Sequence, residues 1–240
     1  MISPIIHYFW LGKKKLPKMT IKCIDSWKRF CPDFEIKQWN ESNYDFTKQS
    51  YMKQAFEAKK WGFVPDYARI DVIYQYGGIY LDTDVEILKP LTALQNNHFF
   101  ASTTYPGEIN LGQGFGAEAN HPLLQELMED YNHYSFRDEY GKINLTPSPT
   151  IQTKYLTTHY NMVSQKGYNA IQKLKNDVTI YPYEYFDPLY FDESNLRATI
   201  HLTTNTYSIH HYMNSWVPLH KKLLCRIKST LSLLLCEQSN

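Results

Sequence analysis

From residue 62 the chain reads GFVPDYARIDVIYQYGGIYLDTDVEILKPL, and this stretch limits the fold more tightly than any other. Pro65 followed by Asp66 suits the first turn of a helix, where a missing N–H costs nothing and a carboxylate is favoured. Tyr67, Ile70, Ile73 and Tyr74 mark its apolar side, and Gly77-Gly78 can supply the left-handed residue that stops it. Ile79, Tyr80 and Leu81 then form a short strand with Asp82-Thr83-Asp84 at its carboxyl end. Open α/β sheets bind their ligands at that end of the strands. Val85, Ile87 and Leu88 resume extended structure, and Lys89-Pro90 ends it. A helix feeding directly into a strand that stops on two carboxylates implies an α/β nucleotide-binding layer rather than a bundle or a sandwich.

The flanking segments agree with that class. Ile5 to Trp10 reads as a buried first strand, ending at Gly12. From Pro17 to Phe30 the apolar residues Met19, Cys23, Ile24, Trp27 and Phe30 recur at helical spacing. Pro32-Asp33 breaks that helix, and Phe34, Ile36 and Gln38-Trp39 suggest a second strand. Tyr51 to Trp61 is a polar, Lys-rich helix. Further on, His98 to Thr103 and Leu111 to Ala117 read as strands, and Gly112, Gly114 and Gly116 in the second imply a close backbone approach. Helices are expected over Pro122 to Tyr134 and Ile151 to Tyr160. A strand over Val178 to Tyr181 leads into the aromatic loop YPYEYFDPLYF, and an extended segment from Tyr207 to Tyr212 delivers His210-His211. With no repeat, low-complexity tract or linker in 240 residues, a single domain is expected.

Charge and composition remove several classes. Lys+Arg total 25 against 24 Asp+Glu, so no bulk positive charge exists for nucleic acid, and none is expected as a partner. The opening MISPIIHYFWLGKKK has no basic stretch ahead of an apolar core, unlike a secretory signal. No apolar run reaches the roughly 20 residues a membrane-spanning helix needs. Cys23, Cys31, Cys225 and Cys236 form no CxxC pair, which argues for free thiols in a reducing compartment rather than a structural zinc site. The chain reads as cytoplasmic.

Four groups of residues carry chemistry. Asp82 and Asp84, one residue apart in a turn, can converge on a divalent cation, and their hard oxygens suit Mn²⁺ or Mg²⁺. Such an ion can bridge the phosphates of a nucleotide diphosphate and offset the charge that develops as a sugar leaves. His210 and His211 point to opposite faces if extended, so only one easily reaches the ion. Asp66 and Arg69, three apart, share a helix face, either as a surface ion pair or as hydrogen-bonding groups for sugar hydroxyls and phosphate. Trp10, after the first strand, suits either a core position or stacking on a base.

The segments IIHYFWLG, CIDSWKRFCPDFEIKQWNE, FVPDYARIDVIYQYGGIYLDTDVEILKPL, GAEANHP and YSIHHYMNSW, in that order across residues 2–218, strongly resemble glycosyltransferase family 32. These are DXD-containing sugar transferases of bacterial capsule and lipopolysaccharide synthesis. They are similar in turn to yeast initiating mannosyltransferases and clostridial glucosylating toxins. The resemblance implies a GT-A type Rossmann-like sheet with flanking helices over 1–218, a nucleotide-sugar donor, Mn²⁺ or Mg²⁺, and transfer with retention. Residue by residue, it implies that Trp10 stacks on the base and that Asp66 and Arg69 hold the donor sugar. Tyr80, Asp82, Thr83 and Asp84 would form the ribose and metal turn, with His211 the third metal ligand and His210 its alternative. The toxins carry a carboxylate at the His211 position. Asn214 and Trp216 fall where the toxins contact the β-phosphate and the leaving oxygen, and Gln113 or Asn110 is expected beside the donor sugar. The family suggests a UDP-hexose most often, bearing galactose, glucose or an N-acetyl form, with GDP-mannose behind, and a glycan or lipid-linked acceptor. No convincing protein nucleophile stands out, Glu108 and Glu118 having no distinctive setting, so front-face displacement is expected.

The last segment, 219–240, has Leu219, Leu223, Ile227, Leu231 and Leu234 on one side and Lys221, Lys222, Arg226 and Lys228 mostly on the other. A basic amphipathic helix of this kind can lie on an anionic membrane surface or cap the domain. Two other functions compete. IYLDTDVE also suits the strand–DxD signature of a haloacid-dehalogenase phosphohydrolase, with Asp82 as nucleophile, and a non-catalytic sugar-binding protein would keep the pocket without turnover.

Overall fold

The computed structural model describes residues 1–192 and 197–213. Strand β1 (Ile5–Phe9) is followed by helix α1 (Lys18–Phe30) and strand β2 (Glu35–Trp39). Helices α2 (Ser50–Glu57) and α3 (Pro65–Tyr76) lead to β3 (Gly78–Tyr80) and β4 (Val85–Ile87). After β5 (Phe99–Ser102) and β6 (Phe115–Ala117) come α4 (Pro122–Asp130) and α5 (Ser148–Tyr160). The chain then forms β7 (Gln172–Leu174), β8 (Val178–Tyr181), β9 (Leu189–Asp192), β10 (Arg197–Ile200) and β11 (Ser208–His210). The expected strand over Leu111 to Ala117 pairs only from Phe115 onward. The residues before it turn, with Asn110 Oδ1 accepting the Gly112 N–H at 2.9 Å.

Seven strands form one mixed sheet in the order β2-β1-β3-β6-β5-β8-β7. β1 runs parallel to both β2 and β3, β6 is antiparallel to β3 and β5, and β5 is parallel to β8. β9 and β10 pair antiparallel, and so do β4 and β11, each as a separate two-stranded sheet. Successive residues of a strand face opposite sides, and the core divides accordingly. Phe9, Tyr80, Phe99 and Ala101 pack with α2, α3, α4 and α5 on one side, while Ile6, Tyr8, Ile79 and Phe100 pack with α1 and β4 on the other.

α3 is the buried helix behind the site, with Ala68, Ile70, Val72 and Ile73 fully covered. Pro65 occupies its first turn, and Gly77, at φ 65°, closes its end by donating its N–H to the Ile73 carbonyl at 2.8 Å. Gly78 follows at φ +105°, and a Cβ there would stand 2.7 Å from the Ile5 carbonyl oxygen and 2.9 Å from His7 Nε2. Only glycine lets the chain reverse so tightly from α3 into β3. Because β1 and β3 are parallel, the residues after each, Trp10 and Asp82, emerge at the same edge of the sheet. β6 runs the other way, so its leading segment around Gly112 meets them there.

Candidate active site

At that edge lies a pocket of about 220 Å³. Its lining combines the apolar and aromatic Phe9, Trp10, Leu11, Trp61 and Pro65 with the polar and charged Lys14, Arg69, Tyr80, Asp82, Thr83, Asp84, His210 and Tyr212.

The acidic part of the lining is built from the β3–β4 turn. The Asp82 N–H donates to the Gly112 carbonyl at 2.9 Å, and its own carbonyl accepts from Val85 N–H at 3.0 Å, which bends the DTD segment into a loop. Tyr80 donates its hydroxyl to Asp82 Oδ1 at 2.9 Å, and Arg69 NH1 stands 3.9 Å from Asp82 Oδ2. The Arg69 guanidinium also lies over the Tyr80 ring at 5.1 Å. A Cβ on Gly112 would fall 2.2 Å from Asp82 Oδ2 and 2.7 Å from Arg69 NH1, so this position admits no side chain while the carboxylate stays where it is.

Antiparallel pairing of β11 with β4 sets His210 opposite Val85 and next to Asp84. His210 Nε2 is 3.2 Å from Asp84 Oδ1, the Met213 N–H donates to Asp84 Oδ2 at 2.8 Å, and the His211 N–H donates to the Asp84 carbonyl at 2.9 Å. Burial opposes the charged form of Asp84, but the hydrogen bond and charge of His210 and the Met213 N–H outweigh it and hold the carboxyl below its usual range. Burial likewise works against a protonated His210, yet Asp84, then Asp82 and Asp187, keep its pKa above the ordinary histidine value.

Asp82, Asp84 and His210 each offer one ligand atom, and these atoms all lie within 4.8 Å of one another. Two carboxylate oxygens and an imidazole nitrogen fit a hard divalent cation such as Mn²⁺ or Mg²⁺. The structure brings His210 to the pair. His211 faces the other way, as alternation along a strand requires, with Nε2 2.8 Å from Glu86 Oε2; Glu86 also accepts from Lys22 at 2.9 Å. The metal position expected for His211 is thus occupied by its alternative.

Other expected residues divide between pocket and wall. Trp10 lines the pocket, its indole N–H donating to the Lys14 carbonyl at 2.6 Å and so folding the WLGKK loop back on itself. Arg69, Tyr80 and Thr83 also line it. Asp66 does not: it is 4% exposed and committed to Arg69 NH2 at 2.9 Å. Burial pushes its carboxyl up to about 6 against the pull of Arg69 and of the Ser148 hydroxyl, and its hydrogen bond to Arg69 anchors the guanidinium from behind. Gln113, expected beside the sugar, has no exposed surface. Its Nε2 donates to Ser102 Oγ at 2.6 Å and to the Thr103 carbonyl at 3.0 Å, bracing the loop that carries Gly112. Glu108 binds Thr150 Oγ1 and Glu118 binds His98, both away from the pocket. Asn214, Trp216 and the 219–240 segment lie outside the described residues.

Sequence reasoning missed Lys14, Trp61 and Tyr212. Trp61 packs its ring edge on Phe56 and sits 3.3 Å from where a Gly12 Cβ would be, a contact that WG followed by Pro65 does not advertise. Tyr212, at φ 45°, stands directly after the two histidines, and that adjacency was the available signal.

The mixed sheet, its flanking helices and the acidic turn at its edge make up a GT-A type fold. The solved PaToxG glycosyltransferase has the same fold, with a TM-score of 0.52 at 19% identity over 65% of this chain and 69% of that one. A family model described as "Glycosyltransferase sugar-binding region containing DXD motif" matches residues 17–101. Over that stretch the sequence is similar to DXD-containing glycosyltransferases of the family 32 type. It is 25% identical over 181 residues to inositol phosphoceramide mannosyltransferase 1 of Schizosaccharomyces pombe, covering 68% of this chain and 54% of the relative. It is also 25% identical over 237 residues to an uncharacterised glycosyltransferase of Acanthamoeba polyphaga mimivirus, covering 95% of this chain and 88% of the relative. This chain thus spans about half the length of the yeast relative and most of the viral one. The DXD turn lies within the matched region, which favours the sugar-transferase reading of that signature over the phosphohydrolase one. No helix among the described residues is long and apolar enough to cross a membrane.

Proposed function

We propose that the protein transfers a hexose from a nucleotide-diphosphate sugar to a glycan or lipid-linked acceptor, with a divalent cation and with retention at the anomeric carbon. The observation that carries this reading is the convergence of Asp82, Asp84 and His210 within 4.8 Å in a pocket that aromatic side chains also line. A nucleotide sugar calls for both: it has a flat base at one end, two phosphates and a sugar at the other. Trp10 and Trp61 offer ring faces and edges to the base, and Lys14 also lines the pocket. Arg69, fixed by Asp66 behind it, faces the donor without having to be ordered on binding. Tyr80 and Asp66 hold Asp82 and Arg69 in place before substrate arrives, so the site is preorganised toward charge on the leaving diphosphate. The cation, held by Asp82, Asp84 and His210, would supply Lewis-acid stabilisation of that diphosphate.

Among the described residues lining the pocket, the carboxylates are Asp82 and Asp84. Both are used in the ion site, and neither Glu108 nor Glu118 reaches the pocket, which favours front-face displacement over a covalent glycosyl-enzyme. Among donors, UDP-galactose, UDP-glucose and their N-acetyl forms come first, in capsular or lipopolysaccharide synthesis. GDP-mannose stands behind them, supported by the mannosyltransferase name of the yeast relative. That relative's name also supports a lipid-linked acceptor, and the basic 219–240 segment would bring the protein to the inner face of the membrane. A screen of nucleotide sugars with and without Mn²⁺, read by thermal shift and by release of nucleoside diphosphate, tests the proposal. Stabilisation and turnover by one donor, only with the ion, is the expected result; turnover that survives EDTA would overturn it.

A further inference from the structure

We propose that Asp187 is a positioning residue for the ion site, accepting the Nδ1 proton of His210 and so holding the imidazole in the tautomer a cation requires. This rests on the metal reading given above. His210 Nε2 stands 3.2 Å from Asp84 Oδ1. Nδ1 is buried and has no hydrogen-bond partner among the described residues. Ligation through Nε2 uses that atom's lone pair, and the ring proton must then sit on Nδ1. A buried N–H with nothing to receive it opposes ligation.

A candidate acceptor is tied to the tyrosine beside this ring. Asp187 is 3% exposed, Tyr212 donates its hydroxyl to Asp187 Oδ2, and Asp187 Oδ1 is buried without a partner among the described residues. Two unpartnered buried atoms, one needing a proton acceptor on metal binding and one able to accept, are thus joined through Tyr212. The tyrosine ring lies 4.1 Å from the His210 ring, tilted 30°, while its hydroxyl holds the carboxylate. Backbone ties keep the two segments together. The Tyr207 N–H donates to the Tyr185 carbonyl at 2.7 Å, Ser208 Oγ donates to the Phe186 carbonyl at 3.2 Å, and the Phe186 and Tyr207 rings stack at 5.7 Å. The charge of Asp187, after those of Asp84 and Asp82, favours a proton on the His210 ring. A carboxylate behind a ligating histidine fixes ring orientation and raises ligand basicity, directly or through one water. This role also accounts for the acid in the FDP segment, which the sugar-transfer chemistry does not otherwise use.

Mn²⁺ titration of the wild type, Asp187→Ala and Asp187→Asn, followed by electron paramagnetic resonance of the free ion, tests the assignment. Asp187→Ala is expected to weaken Mn²⁺ binding by about 10–100-fold. Asp187→Asn, which keeps an amide oxygen as acceptor, should retain most of the affinity. Imidazole ¹⁵N spectra with Mg²⁺ add a readout that loss of packing does not imitate. The His210 proton should sit on Nδ1 when Mg²⁺ is added, and its resonance should shift upfield in Asp187→Asn as a neutral acceptor replaces a charged one. If the wild type binds no Mn²⁺, the metal reading falls and this proposal with it. If the wild type binds and Asp187→Ala binds equally well, Asp187 alone loses its role. Should Asp187→Ala not fold, Asp187→Asn decides: an unchanged Nδ1 resonance overturns the assignment.

Discussion

At the scale of single residues, the site is intolerant for different reasons at different positions. Asp84 interacts with His210 and the Met213 N–H, and one of its oxygens joins Asp82 and His210 within ligating reach. Asp84→Ala should lower donor turnover by at least ~10²-fold, by analogy with the loss of one electrostatic stabiliser; a steady-state assay of nucleoside diphosphate release checks this. Gly112 is intolerant for want of space. A methyl group there would overlap Asp82 Oδ2 at 2.2 Å, so Gly112→Ala must displace the carboxylate. A shift of about 1 Å in a reacting group can cost ~10²-fold, and we expect a loss of that order with the circular dichroism spectrum unchanged. Activity within a factor of about two of wild type would show that the turn can yield without harm. Much of this was legible. Asp82 and Asp84 could be read because a strand ran directly into them, and Gly112 because glycines at every second position imply a close approach. Gln113 and Asp66 were read as donor contacts, and both lie behind the pocket wall, since sequence gives a residue's place on an element and not the depth at which that element is buried.

At the scale of elements, the junctions around β1 and β3 carry a pH dependence. His7 on β1 is fully buried; its Nε2 lies 2.9 Å from the Gly77 carbonyl, and Trp39 donates its indole N–H to His7 Nδ1 at 3.0 Å. The ring is therefore neutral, with its proton on Nε2, and it ties β1 to β2 and to the end of α3. Burial, aided by the charge of Lys37 and opposed by the Gly77 hydrogen bond, lowers its pKa to about 4. A histidine whose folded pKa lies below its unfolded value of about 6.5 stabilises the fold above that value and loses the effect as pH falls. From pH 7 down through pH 4 this group should remove roughly 3 kcal/mol of stability. Urea unfolding across that range should show the slope in wild type and a shallower one in His7→Gln; equal slopes would assign the effect to other groups. The sequence marked these elements by their periodicity: Cys23, Ile24 and Trp27 on α1 are buried as the spacing implies. It could not indicate that β11 pairs with β4, because short strands far apart in the chain carry no partner signal. That pairing, and with it the selection of His210 over His211, became visible only in the fold.

At the scale of the whole molecule, the described residues form one sheet with a ligand edge, and binding there should be readable as global stability. A nucleoside diphosphate at about 100 times its dissociation constant should add about 2.7 kcal/mol in the presence of Mn²⁺. For a chain of this size that corresponds to a rise of about 5–10 °C in Tm. Without the ion the rise should be absent or small, and an equal shift with and without Mn²⁺ would detach the nucleotide from the acidic turn. The ion site also joins distant parts of the described chain, since Asp84 on the β3–β4 turn meets His210 on β11 across 126 positions of sequence. All seven strands of the main sheet precede Ser208, so a chain still being translated can complete its scaffold before the final ligand has left the ribosomal tunnel. Nascent copies would therefore be sheltered from acting on sugar nucleotides, and competence would arrive late, as a by-product of synthesis order rather than of any dedicated inhibitor.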